Sequence, residues 1–322
     1  MADQPTADPI VVRVADEQVH DHGADTDPLW SESHYMDAVS PDARTGAYVR
    51  LGRLPNQRRS HLMLAIVRPE TGPVILAVPD APLPAVHDAD QVVTGGDYEL
   101  SLTLEAPVQR MRMTARGTAT AYDAPADALR EAPGHKADFE LDLTWTTDGT
   151  PYRWGVTTRY EIPCHVTGHV VVDSERIDVD WIGQRDHSWG NRDWWAFGWC
   201  WMAVHLDDGS RWHSAATPAF PGFGMGCFSR DGLLTEITSI TASADVTPEG
   251  LFGDTAEQVE PGGHRLVLSP VGFAPVRMEA PDGRVSFFPR ATCRVSASDG
   301  RRGIGWLEWN LPQDAPAPAA GG

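Results

Sequence analysis

Apolar and polar residues alternate with a period of two along most of the chain, the pattern of strands with one dry and one wet face. Ala137–Trp145 sets Phe139, Leu141, Leu143 and Trp145 against Asp138, Glu140, Asp142 and Thr144. Val108–Ala121 opposes Met111, Met113 and Ala115 to Arg110, Arg112 and Thr114, and Arg176–Ile182 places Ile177, Val179 and Trp181 on one side. Further strands are expected at Ala47–Gly52, His61–Val67, Val74–Val78, Tyr98–Leu104, Arg153–Glu161 and Gly168–Asp173. Later in the chain come Gly198–Leu206, Ser210–Thr217, Thr235–Ala242, Arg265–Ser269, Val276–Ala280, Arg290–Ser296 and Ile304–Asn310. Glycine (30 residues) and proline (26) punctuate these runs at sandwich- or barrel-like spacing. Helix is nearly absent: Ala124–Ala132 could form two turns, framed by Pro125 and Pro133 as a loop insert. So many strands exceed one small barrel, so the pattern predicts an all-β chain in two sheet-rich halves. Gly46–Val67 and Gly190–Leu206 both run from a Gly/Arg-rich turn into an apolar strand, a weak hint that the halves are related.

The boundaries follow from composition. Residues 1–28 are polar and rich in Pro and Asp, reading as an arm, and 312–322 as a low-complexity tail. Between them the halves are expected at 29–183 and 184–311, with the break near Gly183.

Charge narrows the partners. With 26 Lys+Arg against 45 Asp+Glu the net charge is −19 over 322 residues, which repels phosphate backbones and anionic lipid headgroups alike. A hydrophobic small molecule is the easier ligand, and the reading leaves room for a homodimer. No apolar run approaches the roughly 20 residues of a membrane span, and the start lacks a signal-peptide pattern, so stable membrane insertion is not expected and the cytoplasm is the expected compartment. The four cysteines (164, 200, 227 and 293) form no Cys-x-x-Cys pair, and Cys200 and Cys293 read as small core residues.

The candidate chemistry concentrates in residues 181–201. Six of the 12 tryptophans fall there (Trp181, Trp189, Trp194, Trp195, Trp199 and Trp201), among Arg185, Asp186, His187, Arg192 and Asp193. Bulky aromatics beside acid and base groups suit a dry pocket in which a proton is moved, whereas ordinary cores take their bulk from Leu, Ile and Val. The same residues also fit a corner stapled by Asp186 to Arg185 or Arg192. Asp186 and His187 are adjacent, so in an extended strand they face opposite ways unless a bulge near Gly183 or Gly190 intervenes. Asp186 is a candidate general acid, and His187 a candidate base or hydrogen-bonder to a substrate oxygen, or else a buried, satisfied histidine. The indoles are candidates for sheltering positive charge or for plain packing, and Trp199 and Trp201, which share one strand face with Ala203, also read as core. On the last strand Trp306, Glu308 and Asn310 share a face: if it lines a pocket, Glu308 is a second proton-handling candidate and Trp306 a substrate contact, and if it meets solvent, Glu308 is an ordinary edge charge. Glu32 and His34 share a face of an extended segment and are candidates for a pocket role. His20-Asp-His22 resembles a metal pair but reads as a solvated stretch of the arm, and His165 and His169 lie too far apart along a strand to ligate together. No metal site is expected.

Gly-x-Ser-x-Gly elbow, Walker loop and dinucleotide fingerprint are absent from the sequence. Gly183-Gln-Arg-Asp-His-Ser-Trp-Gly-Asn-Arg-Asp-Trp195 resembles the signature of a bacterial family related to carotenoid 1,2-hydratase (hydroxyneurosporene synthase) and AttH-like proteins. Trp30–Asp37 with Gly46–Gly52 looks like its N-terminal pattern, and Gly303–Trp309 like its closing strand. The resemblance implies tandem lipocalin-like β-barrel or sandwich halves with a pocket at their junction. It also implies acid–base chemistry on isoprenoid- or terpenoid-like substrates, by hydration, dehydration or cyclisation, without metal or organic cofactor. A lipocalin-like carrier that does no chemistry is the competing expectation. Convergence of residues 186–201 and Glu308 on one cavity is the geometric consequence to check.

Overall fold

A computed structural model describes residues 12–20, 22–260 and 262–313. Among these the chain is almost entirely β, with one five-residue helix at Pro125–Leu129, inside the expected loop insert. The strands form a 12-stranded sheet spanning 30–191 and an 11-stranded sheet spanning 199–312. The fold is two tandem lipocalin-like β units.

The first sheet closes on itself. His135–Thr147 pairs with Arg159–Val172 on one side and Arg110–Ala121 on the other. Arg110–Ala121 pairs in turn with Val74–Ala81. The circuit returns through Arg59–Val67, Gly46–Leu54, Trp30–Val39 and Glu175–Asn191 to Arg159–Val172. Closure removes the edges that an open sheet would leave unpaired. Its interior is the largest core, with Leu51, Leu64, Met113, Leu143 and Trp145 at its centre. The second sheet is curled but open, with Trp199–Leu206, Arg302–Pro312 and Arg290–Ala297 as adjacent central strands.

The halves pack face to face. All ten residues of Trp30–Val39 are buried, as a strand between two dry layers requires. A shared core joins Tyr35, Tyr48, Met63 and Ala65 of the first half to Trp201, Ala203, Phe288 and Trp306 of the second.

Two boundaries differ from the sequence reading. Glu175–Asn191 runs without interruption through Gly183 inside the first sheet, so the crossing to the second half lies at 192–198. The arm is not free where it is described. Val12 enters the first core, and Glu17 is fully buried, bound by Arg185, by the Tyr160 hydroxyl at 2.6 Å and by the Val108 N–H at 2.6 Å. The rest of the expected arm, 1–11, and tail residues 314–322 lie outside the described residues. No helix among those described is long and apolar enough to cross a membrane.

Candidate active site

The Glu175–Asn191 strand orients the candidate chemistry. It pairs regularly with Trp30–Val39 (Tyr35 opposite Asp186, His34 opposite His187) and with Arg159–Val172 (Glu161 opposite Asp186). No bulge intervenes, so successive side chains take opposite faces. Trp181, Arg185 and His187 turn into the first barrel, and Asp186 and Ser188 turn toward the second half.

On that second side lies a cavity of about 520 Å³. The first half supplies Tyr35, Arg50, Arg159 and Asp186, and the second supplies Trp201, Arg290 and Glu308. Trp154, Trp194, Trp199 and Met225 add apolar wall. Val156, Phe197 and Phe223 also line it and are 71%, 51% and 68% exposed, so its mouth is apolar.

The charges are buried and unevenly matched. Arg159 bridges two carboxylates, its Nε donating to Glu161 Oε1 at 2.6 Å and its Nη2 to Asp186 Oδ2 at 2.7 Å. Glu161 also accepts from Gln184 Nε2 at 3.1 Å and Trp201 Nε1 at 3.3 Å. Burial raises both carboxyls, and Arg159 opposes the rise. Glu161 has three donors and Asp186 one, so the anion settles on Glu161 and the proton on Asp186, whose carboxyl is pushed up to about 7. Glu308 pairs with Arg290, whose guanidinium lies over the Tyr48 ring at 4.4 Å. Burial raises the Glu308 carboxyl, and Arg290, Arg50 and Arg159 pull it back. Arg50 has no carboxylate partner among the described residues. Its guanidinium sits 4.0 Å over Trp194, Nη1 is buried without a hydrogen bond, and burial lowers its pKa to about 9.

Of the residues singled out by sequence, Asp186, Glu308, Arg192, Trp194, Trp199 and Trp201 line the cavity. His187 does not. It faces the other way, against Glu32 and the Asp16 carbonyl, because the strand has no bulge to turn it. Trp181 packs in the first barrel, and Trp189 stacks on His20 at 3.7 Å. Trp195 and Trp306 belong to the core between the halves, their N–H groups donating to the Met278 and Ala38 carbonyls at 3.4 and 3.2 Å. Neither Arg185 nor Arg192 pairs with Asp186: Arg185 binds Glu17, and Arg192 Nη2 donates to Thr157 Oγ1 at 2.9 Å. Sequence reasoning passed over Arg50, Arg159, Arg290 and Trp154. The available signal was a charged residue inside otherwise apolar strands, as in Tyr48-Val-Arg50-Leu-Gly52.

The fold has solved counterparts at low sequence identity. A protein assigned as AttH from Nitrosomonas europaea superposes with a TM-score of 0.57 at 15% identity, over 89% of this chain and 94% of its own. Kievitone hydratase from Nectria haematococca gives 0.57 at 11%, over 94% of each chain. CghA in complex with Sch210972 gives 0.54 at 11%, over 88% of this chain and 89% of its own. No curated protein matches the chain in sequence. Residues 13–313 match the family described as domain of unknown function DUF7064, and the chain belongs to that family.

Proposed function

We infer that the cavity is the active site of a hydratase-type acid–base enzyme whose substrate is an apolar, unsaturated molecule of isoprenoid-like bulk carrying one oxygen function. The observation that carries this reading is the meeting of Asp186 and Glu308, distant in sequence and drawn from different halves, on one aromatic cavity beside the unpaired guanidinium of Arg50. Two carboxyls with different environments can divide acid and base roles. Asp186, protonated below about pH 7, donates its proton to one carbon of a polarised double bond. Glu308 takes a proton from a water whose oxygen bonds to the other carbon. The net change is addition of water, and the proton returns from Glu308 to Asp186 through solvent. Arg50 faces the negative charge that develops on a conjugated carbonyl oxygen. The aromatic wall holds the carbon skeleton, and the apolar mouth admits it from a strongly acidic surface. The solved hydratase of the same fold supports this class of reaction.

The test is incubation with a panel of conjugated isoprenoids and enones in H₂¹⁸O, read by mass spectrometry. Wild-type protein should add labelled water to one class of compound. Asp186→Asn should lose about 10²–10⁴-fold in rate while retaining affinity, read by tryptophan quenching. Equal turnover in the variant would remove Asp186 from the chemistry. Binding without turnover by wild type across the panel would favour the carrier reading, which the same apolar mouth also serves.

A further inference from the structure

On the face of the Glu175–Asn191 strand opposite Asp186, three side chains from separate stretches of sequence converge. His20 comes from the N-terminal segment, Glu32 from the Trp30–Val39 strand, and His187 is the third. His20 Nδ1 and His187 Nε2 each lie 2.9 Å from Glu32 Oε1, and one ligand atom from each of the three residues falls within 4.8 Å of the others. Glu32 and His187 are fully buried, whereas the His20 side chain is 22% exposed.

The hydrogen bonds of His187 constrain what lies between these groups. Nδ1 is 2.9 Å from the backbone carbonyl oxygen of Asp16. A carbonyl oxygen only accepts, so Nδ1 carries a proton. In a neutral ring Nε2 then presents a lone pair, aimed at a carboxylate oxygen that also only accepts. Something positive must sit between them, either a second ring proton or a metal ion. An N–H donated to a carbonyl on the far side of the imidazole is the usual outer support of a metal-ligating histidine. Glu32 is supported in the same manner: Arg53 Nη1 donates to Oε2 at 2.6 Å, and the His20 backbone N–H to Oε1 at 2.8 Å.

We propose that His20, Glu32 and His187 bind one divalent transition-metal ion of zinc type. Two imidazoles and a carboxylate are the donor set of zinc sites that leave a fourth position open, and the part-exposed His20 gives an ion access from solvent. None of the three residues lines the cavity, so the site stands apart from the proposed hydration chemistry. A bound ion would clamp the N-terminal segment to the barrel and fix the strand one residue from Asp186.

The experiment uses the full chain stripped with a chelator and titrated with ZnCl₂ by calorimetry, and with Co²⁺ by visible absorption. One equivalent should bind per chain, with d–d bands of a nitrogen/oxygen site. His20→Ala should weaken binding by at least about tenfold, while His22→Ala leaves it unchanged. Imidazole ¹⁵N spectra of the wild-type protein give a readout that no variant's folding can confound. Zinc should leave His187 protonated at Nδ1 alone. Both nitrogens protonated in the presence of excess zinc would establish a plain imidazolium–carboxylate pair and overturn the site. So would the absence of stoichiometric binding, thiolate charge-transfer bands with Co²⁺, or equal affinity in His20→Ala.

Discussion

Asp186 has one donor, and Glu161 across the ladder has three, a difference that fixes which carboxyl of the pair holds the proton. The consequence for stability can be signed. Asp186 releases its proton at the ordinary 3.8 when unfolded and at about 7 when folded. Between those values the folded state binds more protons, so folding stability from this group falls as pH rises from about 4 to 7 and is level above. Asparagine has no such term. The stability of Asp186→Asn relative to wild type should therefore rise across that window, by a few kcal/mol at most. Urea unfolding at pH 4, 5.5 and 7.5 measures it, and a pH-independent difference would place the proton elsewhere. The same proton gives the turnover profile: a rate that needs neutral Asp186 should decline as pH rises through about 7. Arg50 is tuned by a different neighbour. A Cβ added at Gly52 would lie 2.4 Å from Arg50 Nη1, so glycine leaves the space into which the guanidinium folds. Because the colliding atom is the end of a flexible side chain, Gly52→Ala should leave the melting temperature within a few degrees. It should nonetheless lower turnover of the hydrated substrate by displacing Arg50, and unchanged kinetics would show that the guanidinium does not meet the substrate.

The Glu175–Asn191 strand shows what alternation can and cannot reveal. Up to Ile182 it reads as one dry and one wet face, and the burial follows that reading. From Gln184 to Ser188 every residue is buried although all five are polar, because the second half covers the formerly wet face and the arm fills the barrel beneath the other. A polar run in sequence carries no mark of burial, so the arm looked solvated and its Glu17–Arg185 pair was invisible. Face assignments within single strands held: Asp186 opposes His187, Trp199 shares a face with Trp201, and Glu308 with Trp306. What failed was the step from face to surroundings. Trp306 and Glu308 lie on the same side of the last strand, but only Glu308 reaches the cavity, while the indole two residues away meets the Ala38 carbonyl. Arg159 and Arg290 were missed for the same reason, since each gains its meaning from a carboxylate on a neighbouring strand that spacing alone does not identify.

At the scale of the molecule, the active-site reading depends on how closely the two halves seat, because Asp186 and Arg50 belong to one and Glu308 and Arg290 to the other. The seat is tight at Gly46. A Cβ there would lie 2.7 Å from Thr292 Cγ2 and 2.8 Å from Trp306 Cζ2. Neither neighbour is free to yield: Thr292 Oγ1 donates to the Ala43 carbonyl at 2.7 Å, and Trp306 Nε1 to the Ala38 carbonyl at 3.2 Å. A methyl at this point must push the sheets apart, and overpacking of this kind costs about 1–3 kcal/mol. Because Glu308 sits two residues along the strand from Trp306, the same displacement carries it away from Asp186. Gly46→Ala should thus lose stability and turnover together, although residue 46 does not line the cavity. Gly96→Ala is the control, since a Cβ at Gly96 meets nothing within 4 Å. Urea unfolding followed by tryptophan fluorescence gives the stability, and the labelled-water assay gives the rate. If Gly46→Ala behaves like Gly96→Ala in both, the halves are not seated closely enough for their carboxyls to act on one substrate.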